Sequence, residues 1–110
     1  MSFDPTGFSI STSERGGRSV VVVRGELDLA TAPALEKAVS ERLDAGDEVV
    51  VDLRELAFMD STGLRVLVRA HASVGDERRF LVVRPPPGGP IAKILSIAGV
   101  DSQLDLVDDV

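Results

Sequence analysis

Two stretches of the sequence decide the fold: VVVDL at residues 49–53 and FMDSTGL at residues 58–64. The first is a short, almost wholly apolar run, which is typical of a buried strand. The second leads into apolar residues at helical spacing, which predict a helix over residues 62–74 with Leu64, Leu67 and Val68 on its core face. The polar residues Asp60 and Ser61 therefore stand between two core elements, and we expect the Ser61 hydroxyl on the surface at a helix N-terminus.

A serine at this position has two interpretations. A phosphoryl group on Ser61 would meet free backbone N–H groups and the positive end of the helix dipole, so the residue is a candidate phosphorylation site. Asp and Ser are also preferred N-caps for structural reasons alone. The neighbouring Gly63 has two interpretations as well, because it either relieves crowding in the first helical turn or lets a partner approach the backbone closely. Spacing alone does not choose between them.

Outside this region, strands and helices alternate. Paired glycines at 16 and 17 predict a hairpin between strands at residues 8–11 and 19–24, the latter ended by Gly25. Thr31 marks an N-cap for a helix closed by Gly46. The later segments are a strand at 79–84, a stiff PPPGGP loop at 85–90, a helix at 91–98 and a short edge strand at 104–107.

The alternation predicts an α/β fold, because parallel strands with right-handed crossovers satisfy this pattern. We expect one domain over residues 1–110, with a mixed, mostly parallel β-sheet of four to five strands packed with three or more helices. Sites in such sheets gather beyond the carboxyl ends of the strands. Two polar loops lie there, at residues 25–28 and 60–63. If their strands are neighbours, Asp28, Asp60 and Ser61 share one surface.

Composition excludes several classes of function. The formal net charge is −6 and aromatic residues are limited to four Phe, so binding to nucleic acid is not expected. The chain has no Cys, which removes disulfides, thiolate chemistry and Cys-based zinc sites. No apolar run approaches the roughly 20 residues that span a bilayer, and the polar N-terminus is unlike a signal peptide. We therefore expect a cytoplasmic protein.

The residues offer little support for catalysis. Ser61 lacks the flanking glycines of a nucleophile elbow. The single histidine, His71, lies ten residues further on the same predicted helix, about 15 Å away, and is expected at the core boundary. No phosphate-binding glycine loop is present. Asp52 has no adjacent acid of the kind found in a phospho-aspartate receiver and is expected to be structural. The sequence thus indicates a binding module without a cofactor rather than an enzyme.

These residues resemble the anti-sigma factor antagonists, the single-domain bacterial members of the STAS family. The resemblance extends from about residue 19 to residue 107. Its strongest anchor is FMDSTGL at 58–64, and its second is GELD at 25–28. Asp28 and Asp60 match the acidic positions of that family.

The resemblance implies a STAS-like fold and a partner-switching mechanism. In that family, the serine at the position of Ser61 is phosphorylated by an anti-sigma factor with ATP-dependent serine kinase activity. The unphosphorylated antagonist binds the anti-sigma factor and frees the sigma factor, and a PP2C-type phosphatase resets the switch. The nucleotide belongs to the kinase, so no cofactor is implied for this chain. The surface expected to bind the partner comprises Glu26, Asp28, Asp60, Thr62, Gly63 and Arg65.

The sequence departs from the family at two places. Residues 85–90 are richer in Pro and Gly than is usual there, which leaves the start of the third helix open. Arg65 replaces a residue that is often small. Two alternatives also stay open: a STAS module within a larger stress-signalling complex, and a small-ligand-binding α/β domain that uses the Asp28 and Asp60 edge.

Overall fold

Strands and helices alternate along residues 7–77 and 79–110, the part of the chain that the computed structural model describes. In chain order the elements are β1 Ser9–Arg15, β2 Arg18–Leu27, α1 Ala32–Asp44, β3 Glu48–Asp52, β4 Leu56–Met59, α2 Ser61–Val74, β5 Phe80–Val83, α3 Pro90–Ile97 and β6 Leu106–Val107. Two single-turn 3₁₀ helices follow α2 and α3, at Gly75–Glu77 and Val100–Ser102. The predicted proline loop and the edge strand β6 are confirmed. The third helix begins at Pro90, where the missing N–H is tolerated.

The sheet is mixed and mostly parallel, as predicted. The tight turn at Gly16 and Gly17, with φ of 57° and 84°, joins β1 and β2 into an antiparallel hairpin. All the other pairings are parallel, and the main path through the sheet runs β1-β2-β3-β5-β6. The strand β4 lies off this path and pairs with the last residues of β2. The sheet thus has six strands in the described residues, rather than four to five.

Two sequence predictions about this sheet are wrong. The four-residue strand β4 was not predicted, because it lies in a short segment between the polar pair at 54–55 and the helix N-terminus. Gly25 was predicted to end the second strand, but β2 continues to Leu27 with a register shift after Gly25. Gly25 has φ of 91°, and a Cβ there would lie 2.6 Å from the Gly7 carbonyl oxygen. The glycine therefore bends the strand under a close backbone contact instead of terminating it.

The main core lies between the three helices and one face of the sheet. Inward residues alternate along the strands, as period two requires, and helical residues at a spacing of three or four meet them. Its buried members include Val21, Val23, Val49, Val51, Phe80 and Val82 from the sheet, with Leu35, Val39, Val66, Leu67, Ile91 and Leu95 from the helices. A smaller cluster on the other face consists of Val50, Leu81 and Val83, with Val107 and Val110 packed against it.

The buried face of α2 is rotated from the predicted one. Sequence spacing favoured a core face with Leu64, Leu67 and Val68, whereas the buried residues are Gly63, Val66, Leu67 and Val74. The side chains of Leu64 and Val68 are only partly buried. The rotation follows from the close approach of the first helical turn to the sheet, which places Gly63 inward.

Candidate functional site

The candidate site lies where β2 and β4 end side by side. Leu27 is paired with Met59 in the parallel register, and the Asp60 N–H donates to the Leu27 carbonyl at 3.1 Å. The loops that follow these two strands therefore leave the sheet at one edge. Asp28, Asp60 and Ser61 lie at one edge as expected, but the strand that carries Asp60 and Ser61 there is the unpredicted β4 and not the strand at 49–53.

Asp60 is the N-cap of α2. It has extended backbone angles, φ of −104° and ψ of −173°. Its Oδ1 accepts the N–H of Thr62 at 2.8 Å and that of Gly63 at 3.2 Å. These are two of the N–H groups that a helix start leaves without an intrahelical acceptor. The expectation that a phosphoryl group on Ser61 would meet free N–H groups is wrong for those of Thr62 and Gly63, because both already donate to the Asp60 carboxylate.

Ser61 is the first residue of α2 and its side chain is exposed. Within residues 7–77 and 79–110, the structure gives its hydroxyl no hydrogen bond. Capping is therefore accounted for by Asp60 and does not explain the serine. The hydroxyl is free to meet a partner or a modifying enzyme.

Asp28 organises the loop between β2 and α1. Its Oδ1 accepts the N–H of Ala30 at 3.0 Å and that of Thr31 at 3.2 Å. The Thr31 hydroxyl donates to the Glu26 carbonyl at 2.8 Å and accepts the Asp28 N–H at 2.9 Å. Thr31 occupies the predicted N-cap position of α1, but its side chain makes no cap hydrogen bond and ties the loop back to β2 instead. Asp28 thus has a structural role that its sequence position did not indicate.

Gly63 faces the interior. A Cβ at this position would lie 2.7 Å from both Cγ and Cδ2 of Leu27 and 3.0 Å from Cγ of Met59. Of the two interpretations of Gly63, the structure supports relief of crowding, and the crowding comes from side chains of the sheet rather than from the helix itself. Gly63 lets α2 sit close to the ends of β2 and β4, and it supports the surface above it without contributing a side chain.

The exposed surface around Ser61 is partly apolar. Leu29 is 75% exposed and Phe58 is 44% exposed, which makes them two of the three large apolar residues that stand out from the described surface. Leu29 lines a groove of about 120 Å³ between α1 and α2, and Thr62 and Arg65 line the same groove. Sequence analysis did not select either apolar residue. The available signal for Leu29 was an apolar side chain outside the helical stripe of α1, directly after an acidic loop residue.

Charge is divided across this surface. Glu26 is exposed, and with Asp28 and Asp60 it places three acids at the edge of the sheet. Arg65 is exposed on the first turns of α2, and Arg69 follows one turn later beside the same groove. A partner that docks here contacts acidic residues at the sheet edge, the exposed apolar side chain of Leu29, and the basic residues Arg65 and Arg69 on α2.

Two other titratable residues lie away from the site. Asp52 is buried and accepts hydrogen bonds from Arg54 N–H, Nε and Nη2 at 2.9, 3.0 and 2.9 Å. Burial raises the pKa of Asp52, but the Arg54 hydrogen bonds and charge outweigh it, so the pKa lies below its ordinary value. The structural role predicted for Asp52 is confirmed. The His71 side chain is 29% exposed, at the predicted core boundary, with Nδ1 4.0 Å from Asp105 Oδ2.

The described residues hold no cluster of three or more His, Asp or Glu side chains suited to a metal ion. No helix formed by residues 7–77 and 79–110 has the length and apolar character needed to cross a bilayer.

Comparison with known proteins extends this description. A family model described as Mlab, STAS domain matches residues 10–108. The anti-sigma-F factor antagonist RsfB of Mycobacterium tuberculosis is 30% identical over 103 residues, which cover 93% of this chain and 83% of RsfB. A crystal structure of an anti-sigma factor antagonist from Mycobacterium paratuberculosis matches with a TM-score of 0.85 at 30% identity, covering 97% of this chain and 91% of that one. The unphosphorylated form of SpoIIAA shares the fold, with a TM-score of 0.67 at 17% identity over 90% of this chain and 88% of that one.

The chain belongs to the STAS domain family. The family resemblance drawn from FMDSTGL and GELD is confirmed, and so is the STAS-like fold class.

Proposed function

We propose that this chain is an anti-sigma factor antagonist whose binding is switched by phosphorylation of Ser61. The observation that carries the proposal is the exposed Ser61 hydroxyl, which has no structural hydrogen bond in the described residues and stands beside Asp60 at the joint end of β2 and β4. Two similar proteins that cover most of this chain are named anti-sigma factor antagonists, which supports the choice of partner class.

The unphosphorylated protein binds an anti-sigma factor that also has ATP-dependent serine kinase activity, and this binding releases the sigma factor. Polar contacts to the partner come from Glu26, Asp28, Asp60, Thr62 and Arg65. Gly63 lets α2 pack closely against the strand ends beneath this surface. Leu29 adds an apolar anchor, because a side chain that is 75% exposed gains from burial in an interface. The acidic edge and the net charge of −6 favour a partner surface with basic residues.

In the phosphorylation step, Ser61 Oγ attacks the γ-phosphorus of ATP bound to the partner. The new O–P bond forms as the bond to ADP breaks, and the hydroxyl proton passes to solvent. A PP2C-type phosphatase later hydrolyses the phosphoserine to serine and inorganic phosphate. This chain supplies the acceptor oxygen and the docking surface, and it acts as the substrate of both enzymes rather than as an enzyme.

The switch works by charge and size at the interface. A phosphate adds about −1.5 to −2 charges at neutral pH, beside the carboxylates of Asp60 and Asp28. It also replaces a small hydroxyl on a fitted surface. Because the Asp60 cap holds the start of α2 in place in either state, release needs no refolding. A loss of about 3 kcal/mol in binding free energy would weaken the complex more than a hundredfold.

The remaining parts of the proposal follow from this role. The whole chain acts as one STAS domain, without a cofactor and without direct contact to nucleic acid or membrane. Its place of action is the cytoplasm.

The test is a pull-down with the cognate anti-sigma factor, together with a kinase assay in ATP and mapping of the phosphosite by mass spectrometry. Ser61→Ala should keep binding and accept no phosphate, whereas Ser61→Asp should bind weakly. Ser96→Asp is the matched control, because it places the same charge on an exposed serine of α3. Equal binding by the parent protein and Ser61→Asp, or phosphate mapped only to another residue, would overturn the proposal.

A further inference from the structure

Arg65 is a cation without a partner on an acidic protein. Its side chain is exposed on α2, and the structure of residues 7–77 and 79–110 gives it no hydrogen bond or ion pair. Some other arginines of the chain are engaged, such as Arg18 with Glu48 at 2.8 Å, Arg24 with Glu55 at 3.0 Å and Arg84 with Asp108 at 3.2 Å, but within the described residues Arg69 on the same helix is as free as Arg65. With a net charge of −6, acids are plentiful. What distinguishes Arg65 from the other free arginines is its position on α2, four residues after Ser61.

The helical position that would hold an acid for Arg65 is occupied by Ser61. Residues four apart on a helix are neighbours, with Cβ atoms about 5–6 Å apart, and an acid placed N-terminal to the base is the favoured order. Ser61 and Arg65 have this spacing and this order. Phosphorylation would convert the neutral serine into the missing anion.

The N–H groups of Thr62 and Gly63 cannot take this role without losing a hydrogen bond. The N–H groups of Thr62 and Gly63 already donate to Asp60 Oδ1, at 2.8 and 3.2 Å. A phosphate on Ser61 that drew on them would have to displace that carboxylate. The guanidinium of Arg65 is free, and its planar fork matches two phosphate oxygens.

We propose that Arg65 receives the phosphate of phosphorylated Ser61 across one turn of α2. This deepens the proposed function and rests on it for its biological meaning. The pairing offsets the repulsion between the phosphate and Asp60. It also draws the Arg65 charge away from the groove that it lines with Leu29 and Thr62, so modification alters the docking surface at two points. Arg65 is thus a positioning residue for the modified state.

The test needs neither kinase nor partner. Phosphoserine is placed at position 61 during translation, and the phosphate is titrated by ³¹P NMR in the full chain. The parent, Arg65→Gln and Arg69→Gln are compared. Arg69 is the matched control because it is an exposed arginine on the same helix, one turn further from Ser61. The other charged groups around this end of α2 are common to all three proteins: Glu26, Asp28, Asp60 and, on α1, Glu36.

We expect Arg65→Gln to raise the second pKa of the phosphate by on the order of 0.3 unit, because the pair that favours the dianion is lost. Arg69→Gln should shift it by less than half of that amount, and Arg65→Lys should restore part of the effect. Unchanged helicity by circular dichroism shows that each variant is folded. Superimposable titrations of the parent and Arg65→Gln would overturn the proposal, as would an equal shift in Arg69→Gln.

The two proposals fail separately. If the titration shows the pair but no anti-sigma factor binds or phosphorylates the chain, the proposed function falls and the Arg65 contact stands. If phosphorylation of Ser61 switches partner binding but Arg65→Gln leaves the second pKa of the phosphate unchanged, the proposed function stands and the Arg65 proposal falls.

Discussion

Replacing Asp60 with alanine tests the assignment of the helix cap. The substitution removes the acceptor of two hydrogen bonds, from the N–H groups of Thr62 and Gly63 at 2.8 and 3.2 Å. Loss of such a cap costs about 0.5–2 kcal/mol, part of which is the charge that complements the helix dipole, about 0.3–1 kcal/mol. We expect the free energy of unfolding to fall by about 1–2 kcal/mol.

This loss converts to a measurable change in Tm. The unfolding entropy is about 2.1 cal/mol/K per residue, or about 0.23 kcal/mol/K for 110 residues, so the Tm should fall by about 4–9 °C. Asp60→Asn keeps an acceptor at the cap and should lose only the charge contribution. Ser61→Ala should change the Tm by about 2 °C or less, because no hydrogen bond of the described structure depends on its hydroxyl. Differential scanning calorimetry is the assay. The cap assignment would be refuted if Asp60→Ala left the Tm unchanged, or if Ser61→Ala lowered the Tm by more than Asp60→Ala does.

Three further outcomes follow from the structure. Asp52→Asn should lower the free energy of unfolding by about 1–3 kcal/mol at pH 7. Because the pKa of Asp52 is depressed in the folded protein, its stabilising contribution is present above about pH 4 and is lost as the pH falls through the folded pKa. Urea melts of parent and variant should therefore converge in acid. Gly25→Ala should destabilise by more than about 2 kcal/mol, since φ is 91° and the new Cβ meets backbone atoms of residues 7 and 8; a neutral urea melt would contradict this. Leu29→Ser should leave the Tm within about 2 °C and weaken binding to the anti-sigma factor at least tenfold by isothermal titration calorimetry; unchanged affinity would remove Leu29 from the docking surface.

The position of the candidate site could be predicted because it depends on alternation and on strand ends. A parallel sheet brings the carboxyl ends of neighbouring strands to one edge, so GELD and FMDSTGL were expected to meet if their strands were neighbours; they do meet, through the unpredicted strand β4. The exposed position of Ser61 followed from the same reasoning. These features rest on local patterns that the amino-acid sequence displays directly.

The contacts within the site could not be predicted in the same way. Asp60 and Ser61 are both good caps, and only the hydrogen bonds of the folded chain show that Asp60 takes the N–H groups. From the sequence, Gly63 either relieved crowding within the first helical turn or admitted a partner, whereas its observed role depends on Leu27, 36 positions earlier in the chain. The strand β4 is four residues long and pairs only with the end of β2, so its identity depends on a tertiary contact that no local pattern records. Leu29 was missed because its exposure is a property of the folded surface.

The central claim is tested most directly by the affinity of the cognate anti-sigma factor for the full chain carrying either serine or phosphoserine at position 61, measured by isothermal titration calorimetry at one salt concentration. We expect phosphoserine to weaken binding about a hundredfold or more, corresponding to about 3 kcal/mol. Dissociation constants that agree within about twofold would contradict the account.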